Sequence, residues 1–379
     1  MVVMRIQRFY GDLGKWVQKG KVLVIFGPRR VGKTTLLVDY LENCGLKYRL
    51  GSGDSIAVRE IFSSQDPRKI MGYAESYELI ALDEAQRTPG VGLGLKILVD
   101  HVADIRVIAT GSSSFELAGQ IGEPLTGRKT TITLFPIAQC ELAQIYNRQE
   151  LRDRLESFLI YGSYPEVLTA ETDAERRRML EEITNSYLLK DILELDKIKN
   201  PKALNDLLRL VAFQIGNEVS LNELAAQVGL DRNTVSRYLD LLEKSFVLYN
   251  LRGYSRNLRK EVTKKSKYYF YDVGIRNALI ANFNEIALRN DVGQLWENFL
   301  MIERLKIRSY EELWANPYFW RTWEKHEIDL VEERGGALFG YEFKWGDRKV
   351  KEPRVWRETY PGARFEVITP ENYLDIFLG

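Results

Sequence analysis

Residues 27–34 of this chain read Gly27-Pro28-Arg29-Arg30-Val31-Gly32-Lys33-Thr34. This spacing is the G-x-x-x-x-G-K-[ST] pattern of a phosphate-binding loop. The apolar run 22–26 before it predicts a buried strand, and residues 35–41 after it predict a helix. Because strand, loop and helix follow in the order that the pattern requires, we interpret the stretch as a phosphate cradle rather than a chance match.

The residues of this loop have separate predicted tasks. Gly27 and Gly32 let the backbone turn tightly enough to aim N–H groups at phosphates, and the helix start adds its positive dipole end. Lys33 is expected to reach the β- and γ-phosphates, and Thr34 to hold Mg²⁺. The predicted nucleotide-binding set is Gly27, Pro28, Arg29, Arg30, Val31, Gly32, Lys33, Thr34 and Thr35.

A second apolar run, residues 77–84, ends in two adjacent carboxylates, Asp83 and Glu84. A strand end that directs two acids at the phosphate loop lets Asp83 hold the Mg²⁺ shell while Glu84 positions the attacking water. Alone, such a strand end is a common solvated edge. Together with the loop, it predicts hydrolysis of ATP.

Length and composition set the class of protein. With 379 residues the chain is longer than one ordinary domain, so about two to four domains are expected. The composition, 45% hydrophobic and 28% charged, is that of a soluble globular protein, and no stretch has the length of a membrane span or the apolar core of a signal peptide. Two cysteines without metal-ligand spacing and two histidines predict neither a zinc site nor His-based chemistry. We therefore expect a cytoplasmic protein with no membrane partner.

Two further features of the first 140 residues have open interpretations. The strand predicted over 105–110 runs into small polar residues, so Thr110 or Ser112 could place a hydroxyl near the γ-phosphate; a plain strand-to-loop transition is the alternative. Arg128 is either an arginine finger for a neighbouring subunit's nucleotide or a surface arginine. The arginine-finger interpretation of Arg128 predicts a homo-oligomer.

After residue 140 the pattern becomes helical, with apolar residues at three- and four-residue spacing up to about residue 215. These residues predict a helical lid on the nucleotide domain. The apolar positions within it are interpreted as core rather than as a binding site.

Helix-capping signals predict that residues 216–270 form a compact unit. Ser220 and Glu223 have capping-box spacing for a helix over 221–228, and Asp231 is placed to cap a helix over 232–244. The outward face of the second helix is predicted to carry Arg232, Asn233, Thr234, Ser236, Arg237 and Tyr238. Seven basic residues and one acid lie between Arg252 and Lys267, where a wing would follow. The pattern favours a winged helix-turn-helix that binds DNA; a winged-helix spacer that only packs against other domains is the alternative.

The C-terminal part predicts a metal site on a sheet. Glu342 and Lys344 are two apart on a predicted strand and share a face, and Asp329 approaches that face if the preceding strand pairs as a hairpin. Asp329 and Glu342 would bind Mg²⁺, Lys344 would orient water or offset phosphate charge, and Glu297 on the helix predicted over 292–307 is an additional ligand. The alternative is an exposed sheet edge with alternating charges.

Taken together, the motifs resemble those of bacterial and archaeal AAA+-type ATPases that have a winged helix and a C-terminal domain of uncertain function. The resemblance is carried by GPRRVGKTT, LIALDEAQ, ATGSSS, LTGR, GSYPE, YFYDVGIRNAL, LWENF, EIDLV and GYEFK, and it spans nearly the whole chain. It implies an additional-strand P-loop fold of the AAA+ or signalling-NTPase type. It also implies a C-terminal domain similar to PD-(D/E)XK, restriction-endonuclease-like nucleases, with Asp329, Glu342, Lys344 and Glu297 on the motif positions.

The sequence therefore predicts an α/β P-loop NTPase domain (1–140), a helical lid (141–215), a winged helix (216–270) and an α/β nuclease-like domain (271–379). The preferred function is a Mg²⁺-dependent ATPase coupled to DNA handling, with metal-dependent endonuclease potential. Lys33, Glu84, Arg128 and Lys344 are its predicted catalytic residues. A nucleotide-dependent switch or scaffold is the alternative, and a small-molecule kinase is a third, weaker one.

Overall fold

The computed structural model describes residues 6–112, 125–188, 200–254, 266–346 and 350–378. They form two compact units. The N-terminal unit comprises Gln7–Pro136 with Lys244–Phe246, and the C-terminal unit comprises Ile137–Glu243 and Val247–Gly379 with Met1–Ile6. Within the described ranges no helix is both long and apolar enough to cross a membrane.

The N-terminal unit alternates strands and helices. Its elements are β1 (Val22–Phe26), α1 (Lys33–Asn43), β2 (Tyr48–Ser52), α2 (Ile56–Ser63), α3 (Pro67–Ala74), β3 (Leu79–Asp83), α4 (Val91–His101), β4 (Arg106–Gly111) and β5 (Lys129–Thr133). The strands form one parallel sheet in the order β2-β3-β4-β1-β5. The central strands are continuous apolar runs because both of their faces are covered, and Val24, Ile80 and Val107 have no exposed surface.

The order of these strands positions the phosphate loop. β4 lies between β1, which leads into the loop, and β3, which ends in the two carboxylates. All strands are parallel, so the carboxyl ends of β1, β3 and β4 meet at one edge of the sheet, with Phe26 opposite Gly111. The inserted strand is the arrangement that an additional-strand P-loop fold requires.

The C-terminal unit begins with short helices and continues into a mixed region. Its helices are α5 (Gln139–Leu142), α6 (Arg148–Asp153), α7 (Leu155–Tyr161), α8 (Pro165–Thr169), α9 (Asp173–Glu182), a π-helical turn (Ile183–Leu188), α10 (Pro201–Phe213), α11 (Leu221–Val228), α12 (Arg232–Lys244), α13 (Val273–Leu279), α14 (Val292–Tyr310), α15 (Arg354–Thr359) and α16 (Tyr373–Leu378). Its strands are β6 (Glu218–Val219), β7 (Leu248–Gly253), β8 (Ser266–Phe270), β9 (Asn316–Arg321), β10 (Glu327–Arg334), β11 (Ala337–Phe343) and β12 (Arg364–Ile368).

These strands form one seven-stranded sheet in the order β12-β11-β10-β9-β7-β8-β6. β7 and β9 are joined in parallel, with Arg252 opposite Tyr318 and Gly253 opposite Phe319. The sheet therefore runs without interruption across residue 270, where the sequence motifs suggested a domain boundary. The division of residues 141–379 into three domains stays a prediction.

The helix pair α11–α12 has the predicted caps. Ser220 Oγ accepts from the Glu223 N–H at 3.4 Å, and Asp231 Oδ1 accepts from the Asn233 and Thr234 N–H groups at 2.9 Å. Tyr238, predicted on the outward face, is instead buried, because it lies three residues after buried Val235 on the same side of α12. The basic residues Arg256, Arg259, Lys260, Lys264 and Lys265 lie outside the described residues.

A buried polar cluster accounts for two of the motifs, GSYPE and YDVG. Asp272 caps α13 by accepting from the Gly274 N–H at 2.9 Å, and its other oxygen accepts from the Ser163 N–H at 2.7 Å. Gly162 has φ +72°, and a Cβ there would lie 2.0 Å from Asp272 Oδ1. Lys306 Nζ completes the cluster with bonds to the Ile137 carbonyl at 3.0 Å and to Glu303 at 2.6 Å. These motif residues therefore hold α7, α13 and α14 together.

Candidate nucleotide and metal sites

The phosphate loop lies between β1 and α1, and its two glycines are required by geometry. Gly27 has φ +148°, and a Cβ there would lie 2.0 Å from the Leu134 carbonyl oxygen, so no side chain fits. Gly32 has φ +92° in the N-cap position of α1, where a side chain would be strained. Pro28 and Val31 are buried, Arg29 and Arg30 are half-buried, and Thr35 is exposed on α1.

Lys33 lies inside this loop. Its Nζ donates to the Gly27 carbonyl at 2.9 Å and to the Pro28 carbonyl at 2.7 Å, and only 5% of the residue is exposed. The loop thus holds a cation against its own backbone, where phosphate oxygens would be attracted to it.

Thr34 and Asp83 are brought together by the parallel sheet. Thr34 Oγ1 donates to Asp83 Oδ2 at 2.8 Å, so a hydroxyl and a carboxylate lie side by side next to Lys33. Thr110, at the end of β4, donates to Asp83 Oδ1 at 2.5 Å and accepts from the Glu84 N–H at 3.1 Å. The Thr110 hydroxyl therefore positions Asp83, and the γ-phosphate contact considered for Thr110 or Ser112 stays a prediction.

Glu84 has left-handed backbone with φ +50° directly after β3. Its Oε2 accepts from Gln86 Nε2 at 2.6 Å, and the same amide nitrogen donates to Ser112 Oγ at 3.0 Å. Sequence reasoning missed Gln86, although its position in LIALDEAQ, two residues after Glu84, was visible. The amide links Glu84 to Ser112, so both residues belong to one hydrogen-bonded group.

Two arginines of the N-terminal unit, Arg128 and Arg8, lie at different ends of β1. Arg128 pairs with Asp100 of α4, and its carbonyl accepts from Val22 N–H, at the end of β1 that is remote from the phosphate loop. The structure thus does not bring Arg128 to the loop of its own chain. Arg8, which sequence reasoning missed, donates to the Val31 carbonyl and, at 2.6 Å, to the Phe135 carbonyl. No motif includes Arg8, because its role depends on partners 23 and 127 residues away.

A second group of charged residues lies on the sheet of the C-terminal unit. β10 and β11 are antiparallel, with Leu330 opposite Tyr341, so Asp329 and Glu342 are adjacent cross-strand neighbours. Asp329 Oδ2 accepts from the Phe343 N–H at 2.7 Å, and Lys344 Nζ pairs with Glu342 Oε1 at 2.7 Å. Glu342 Oε2 is buried and has no hydrogen-bond partner.

Glu297, from α14, is held by two residues that the sequence analysis did not assign to the metal site: Lys267, counted in the basic run of the predicted wing, and Tyr269, in the YFYDVGIRNAL motif. Tyr269 donates to Glu297 Oε1 at 2.6 Å, and Lys267 Nζ lies 3.2 Å from the same oxygen and 2.5 Å from Glu327 Oε1. Lys267 is 2% exposed. Lys267 and Tyr269 alternate on β8 and thus share a face, a signal that period-two spacing alone could have given.

Burial and like charges dominate the electrostatics of this group. Burial raises the pKa of Asp329 well above its usual range, and Glu297 and Glu342 raise it further against the opposing effect of Lys267. Burial also raises the pKa of Glu342, while Lys344 lowers it. Acids held this close favour an added cation.

The donor atoms can be compared with the needs of a metal. Among the residues that the structure describes, no group of three or more Asp, Glu, His or Cys side chains is arranged to hold an ion. Asp329 and Glu342 nevertheless offer adjacent carboxylate oxygens, one of them buried and without a hydrogen-bond partner, which fits a hard cation that keeps several waters. The predicted third ligand, Glu297, is bound by Lys267 and Tyr269 instead.

Family models match three successive parts of the chain. Residues 19–143 match an AAA domain, and residues 152–286 and 292–366 match two domains of unknown function, DUF8612 and DUF4143. With the parallel sheet, its inserted strand and the loop geometry, the first match defines the N-terminal unit as an AAA+ P-loop ATPase domain. The match supports the predicted P-loop fold and the general ATP-binding character of this domain.

Several proteins similar to this chain bear names that state no function. One, from Mycobacterium tuberculosis H37Rv, is 27% identical over 336 residues, which cover 88% of this chain and 72% of that protein. Others come from Haemophilus influenzae (27% over 309 residues, 76% and 75% covered) and Methanocaldococcus jannaschii (22% over 346 residues, 82% and 72%). Among solved structures, AMPPCP-bound DnaA from Aquifex aeolicus is 15% identical with a TM-score of 0.27, covering 62% of this chain and 84% of that chain.

Proposed function

We propose that this protein is a Mg²⁺-dependent ATPase that binds DNA and has a metal-dependent nuclease centre in its C-terminal unit. One observation carries the ATPase half: Lys33, Thr34 and Asp83 converge at the mouth of a glycine loop, with Thr34 Oγ1 2.8 Å from Asp83 Oδ2. The hydroxyl and carboxylate oxygens suit Mg²⁺, and the lysine suits the β- and γ-phosphates.

The chain's own residues would divide the work of hydrolysis. The loop N–H groups and Lys33 bind and orient the triphosphate, while Thr34 and Asp83 would hold Mg²⁺, which neutralises phosphate charge when bound. Glu84 accepts a hydrogen bond from the attacking water once Gln86 releases its carboxylate. Arg128 of a neighbouring subunit is the proposed source of additional positive charge, and this requires a homo-oligomer in which the Arg128–Asp100 pair opens.

The ATPase is tested by Lys33→Ala. ATP turnover is expected to fall by at least about 100-fold, because the substitution removes the buried cation that is proposed to bind the phosphates. Lys69→Ala, an exposed lysine on α3, is the control and is expected to leave turnover unchanged. Full activity in the Lys33→Ala protein would end the proposal.

DNA binding is proposed for the segment from β6 to β8. Two helices joined by a capped turn, followed by the β7–β8 pair, support a winged helix, and Arg232, Asn233 and Arg237 are exposed on α12. Replacing Arg232 and Arg237 by alanine is expected to weaken duplex binding uniformly across sequences and to reduce the salt dependence. Fluorescence anisotropy at several salt concentrations measures both, and an unchanged salt slope would contradict the assignment.

Nuclease chemistry is proposed for the Asp329–Glu342–Lys344 group. Asp329 and Glu342 would hold a divalent ion that activates water when bound, and Lys344, 37% exposed, would face the phosphate. The test is nicking of supercoiled DNA with Mg²⁺ or Mn²⁺ by the wild type and by Glu342→Ala. Equal nicking by the two proteins would show that the activity comes from a contaminant.

A switch or scaffold is the second candidate, and one observation favours it. Glu84 is bonded to Gln86, and Glu297 to Lys267 and Tyr269, so both centres hold an acid away from its proposed task. This candidate predicts very slow turnover, nucleotide-dependent oligomerisation and no metal-dependent cleavage. Size-exclusion chromatography with ATP and ADP, beside the nicking assay, separates the two candidates.

A further inference from the structure

Trp323 is a large aromatic side chain held fully in solvent. It lies in the turn between β9 and β10 and has 103% of its reference exposure. Its neighbours in the turn, Glu324, Lys325 and His326, are exposed and polar. Keeping an indole ring in water forgoes the burial that a tryptophan ordinarily gains. A ligand that covers the ring would recover the free energy of that burial.

Hydrogen bonds and ion pairs hold the backbone of the turn that carries Trp323. The Thr322 N–H donates to the His326 carbonyl at 2.9 Å, and Thr322 Oγ1 accepts from the His326 N–H at 3.2 Å. At the base of the turn, Arg321 pairs with Glu218 at 3.2 Å and with Glu327 at 3.6 Å. The ring is therefore carried by a hydrogen-bonded hairpin rather than by a long loop.

The sheet register places this turn beside the acidic group. β10 starts at Glu327, directly after the turn, and Asp329 follows two residues later, about 7 Å along the strand. β11 runs antiparallel to β10 and ends at Phe343, so Glu342 and Lys344 lie at the same edge of the sheet. The exposed ring and the proposed metal ligands thus share one edge.

The chemistry of the turn selects the kind of ligand. A protein partner needs a contiguous apolar surface of several hundred Å², whereas Trp323 stands among charged and polar residues. An unpaired nucleobase needs a single aromatic face, and any base suffices. Paired bases inside a duplex do not offer their faces to such a ring.

We propose that Trp323 is a stacking platform for an unpaired nucleobase, and that it positions single-stranded DNA beside Asp329 and Glu342. The inference deepens the proposed nuclease function and rests on it. It assigns a substrate class, DNA that is single-stranded next to the cleaved phosphate, which the carboxylates and the lysine by themselves do not specify.

The chain provides a matched control. Trp314 is also exposed, at 92%, but it precedes β9 whereas Trp323 follows it. The two rings therefore lie beyond opposite ends of a strand about 17 Å long. Neither substitution by alanine removes a buried contact, so both proteins are expected to fold, as thermal melting checks.

The experiment measures binding of a labelled 20-nucleotide single strand and of the duplex of the same sequence, by anisotropy without divalent metal. Trp323→Ala is expected to weaken single-strand binding by about 5- to 100-fold, the range for one stacked base, and duplex binding by less than about 2-fold. Trp323→Phe should keep most of the affinity, and Trp314→Ala should behave as the wild type. In the presence of Mg²⁺ or Mn²⁺, cleavage of the single strand by Trp323→Ala should fall by a factor similar to the loss of its single-strand affinity.

Three results would overturn the inference. If Trp323→Ala and Trp314→Ala bind the single strand equally well, the ring does not stack on a base. If Trp323→Ala loses duplex and single-strand affinity to the same degree, the contact is to the backbone. If the variants give either of these results while the wild type binds and nicks DNA, only the stacking role of Trp323 is overturned and the proposed function stands. The third result is a wild type that binds no DNA, which would overturn both the proposed function and the inference.

Discussion

Arg8 connects the segment before β1 to the phosphate loop, since its guanidinium donates to the carbonyls of Val31 and Phe135. Arg8→Ala removes both bonds and leaves a carbonyl of the loop without its donor. We expect kcat/KM for ATP to fall by about 10- to 100-fold, equivalent to 1–3 kcal/mol for a lost charged hydrogen bond. Arg68→Ala, exposed on α3, is the control. An Arg8→Ala enzyme with unaltered kinetics would show that the loop holds its shape unaided.

Asp272 gives a pH-dependent contribution to stability. Burial raises its pKa to about 6, with its backbone hydrogen bonds and Lys306 opposing the shift. Because the folded-state pKa lies above the unfolded value, the stabilising contribution is present below about pH 4 and is lost as the pH rises through 6. The free energy of unfolding of the wild type, minus that of Asp272→Asn, should therefore fall by at most about 3 kcal/mol between pH 4 and 7. Urea unfolding at several pH values measures the difference, and a flat curve would contradict the assignment.

At the scale of elements, the turn after α7 tests how tightly the buried cluster is packed. Gly162→Ala would place a methyl group 2.0 Å from Asp272 Oδ1 in left-handed backbone at φ +72°. We expect a loss of more than about 3 kcal/mol in the free energy of unfolding. Gly229→Ala, at φ +66° and ψ +33° in the αL region with nothing within 4 Å, has neither the clash nor the more costly backbone conformation of Gly162 (ψ −156°), and should cost about 1 kcal/mol. Equal losses of unfolding free energy in the two variants would show that the buried cluster shifts to make room for the added methyl group.

The strand β8 tests the charge balance of the acidic group. Lys267→Met removes a buried cation that contacts Glu297 and Glu327, so the remaining carboxylates repel one another. We expect the free energy of unfolding to fall by about 3–5 kcal/mol at neutral pH. Millimolar Mg²⁺ or Mn²⁺ should raise the melting temperature of this variant more than that of the wild type. Lys202→Met, on exposed α10 surface, is the control, and equal metal responses in all three proteins would contradict the charge argument.

The elements also show what the sequence could predict. The phosphate loop, β3 with its acids and the β10–β11 strands follow from local patterns, because glycine spacing and apolar runs report on neighbouring residues. Arg8 escaped prediction because its partners lie on distant segments, which no local pattern reveals. Lys267 was counted in the basic run of the predicted wing but is buried against Glu297. The period-two spacing of Lys267 and Tyr269 on β8 was visible, whereas their partner on α14 was not. Tyr238 was predicted to lie outward although its helical spacing from Val235 favours burial, so there the available signal was overlooked.

For the whole molecule, the question is whether nucleotide and DNA act on each other. If ATP hydrolysis is coupled to DNA handling, single-stranded or duplex DNA should stimulate turnover several-fold. Replacing Arg232 and Arg237 by alanine should abolish the stimulation and leave the basal rate unchanged, because neither residue belongs to the phosphate loop. Equal basal and stimulated rates in the wild type would favour the switch or scaffold.

The parallel pairing of β7 with β9 bears on how fragments of this protein should be made. A truncation that starts at residue 271 would strip β9 of its partner strand and expose a row of unpaired backbone groups, a template for aggregation. It would also discard Lys267 and Tyr269, the residues that hold Glu297. A fragment starting at Ile137 keeps the whole sheet and is the one expected to fold without aggregating. Failure of the shorter piece to cleave DNA would therefore not test the nuclease activity proposed for the intact protein.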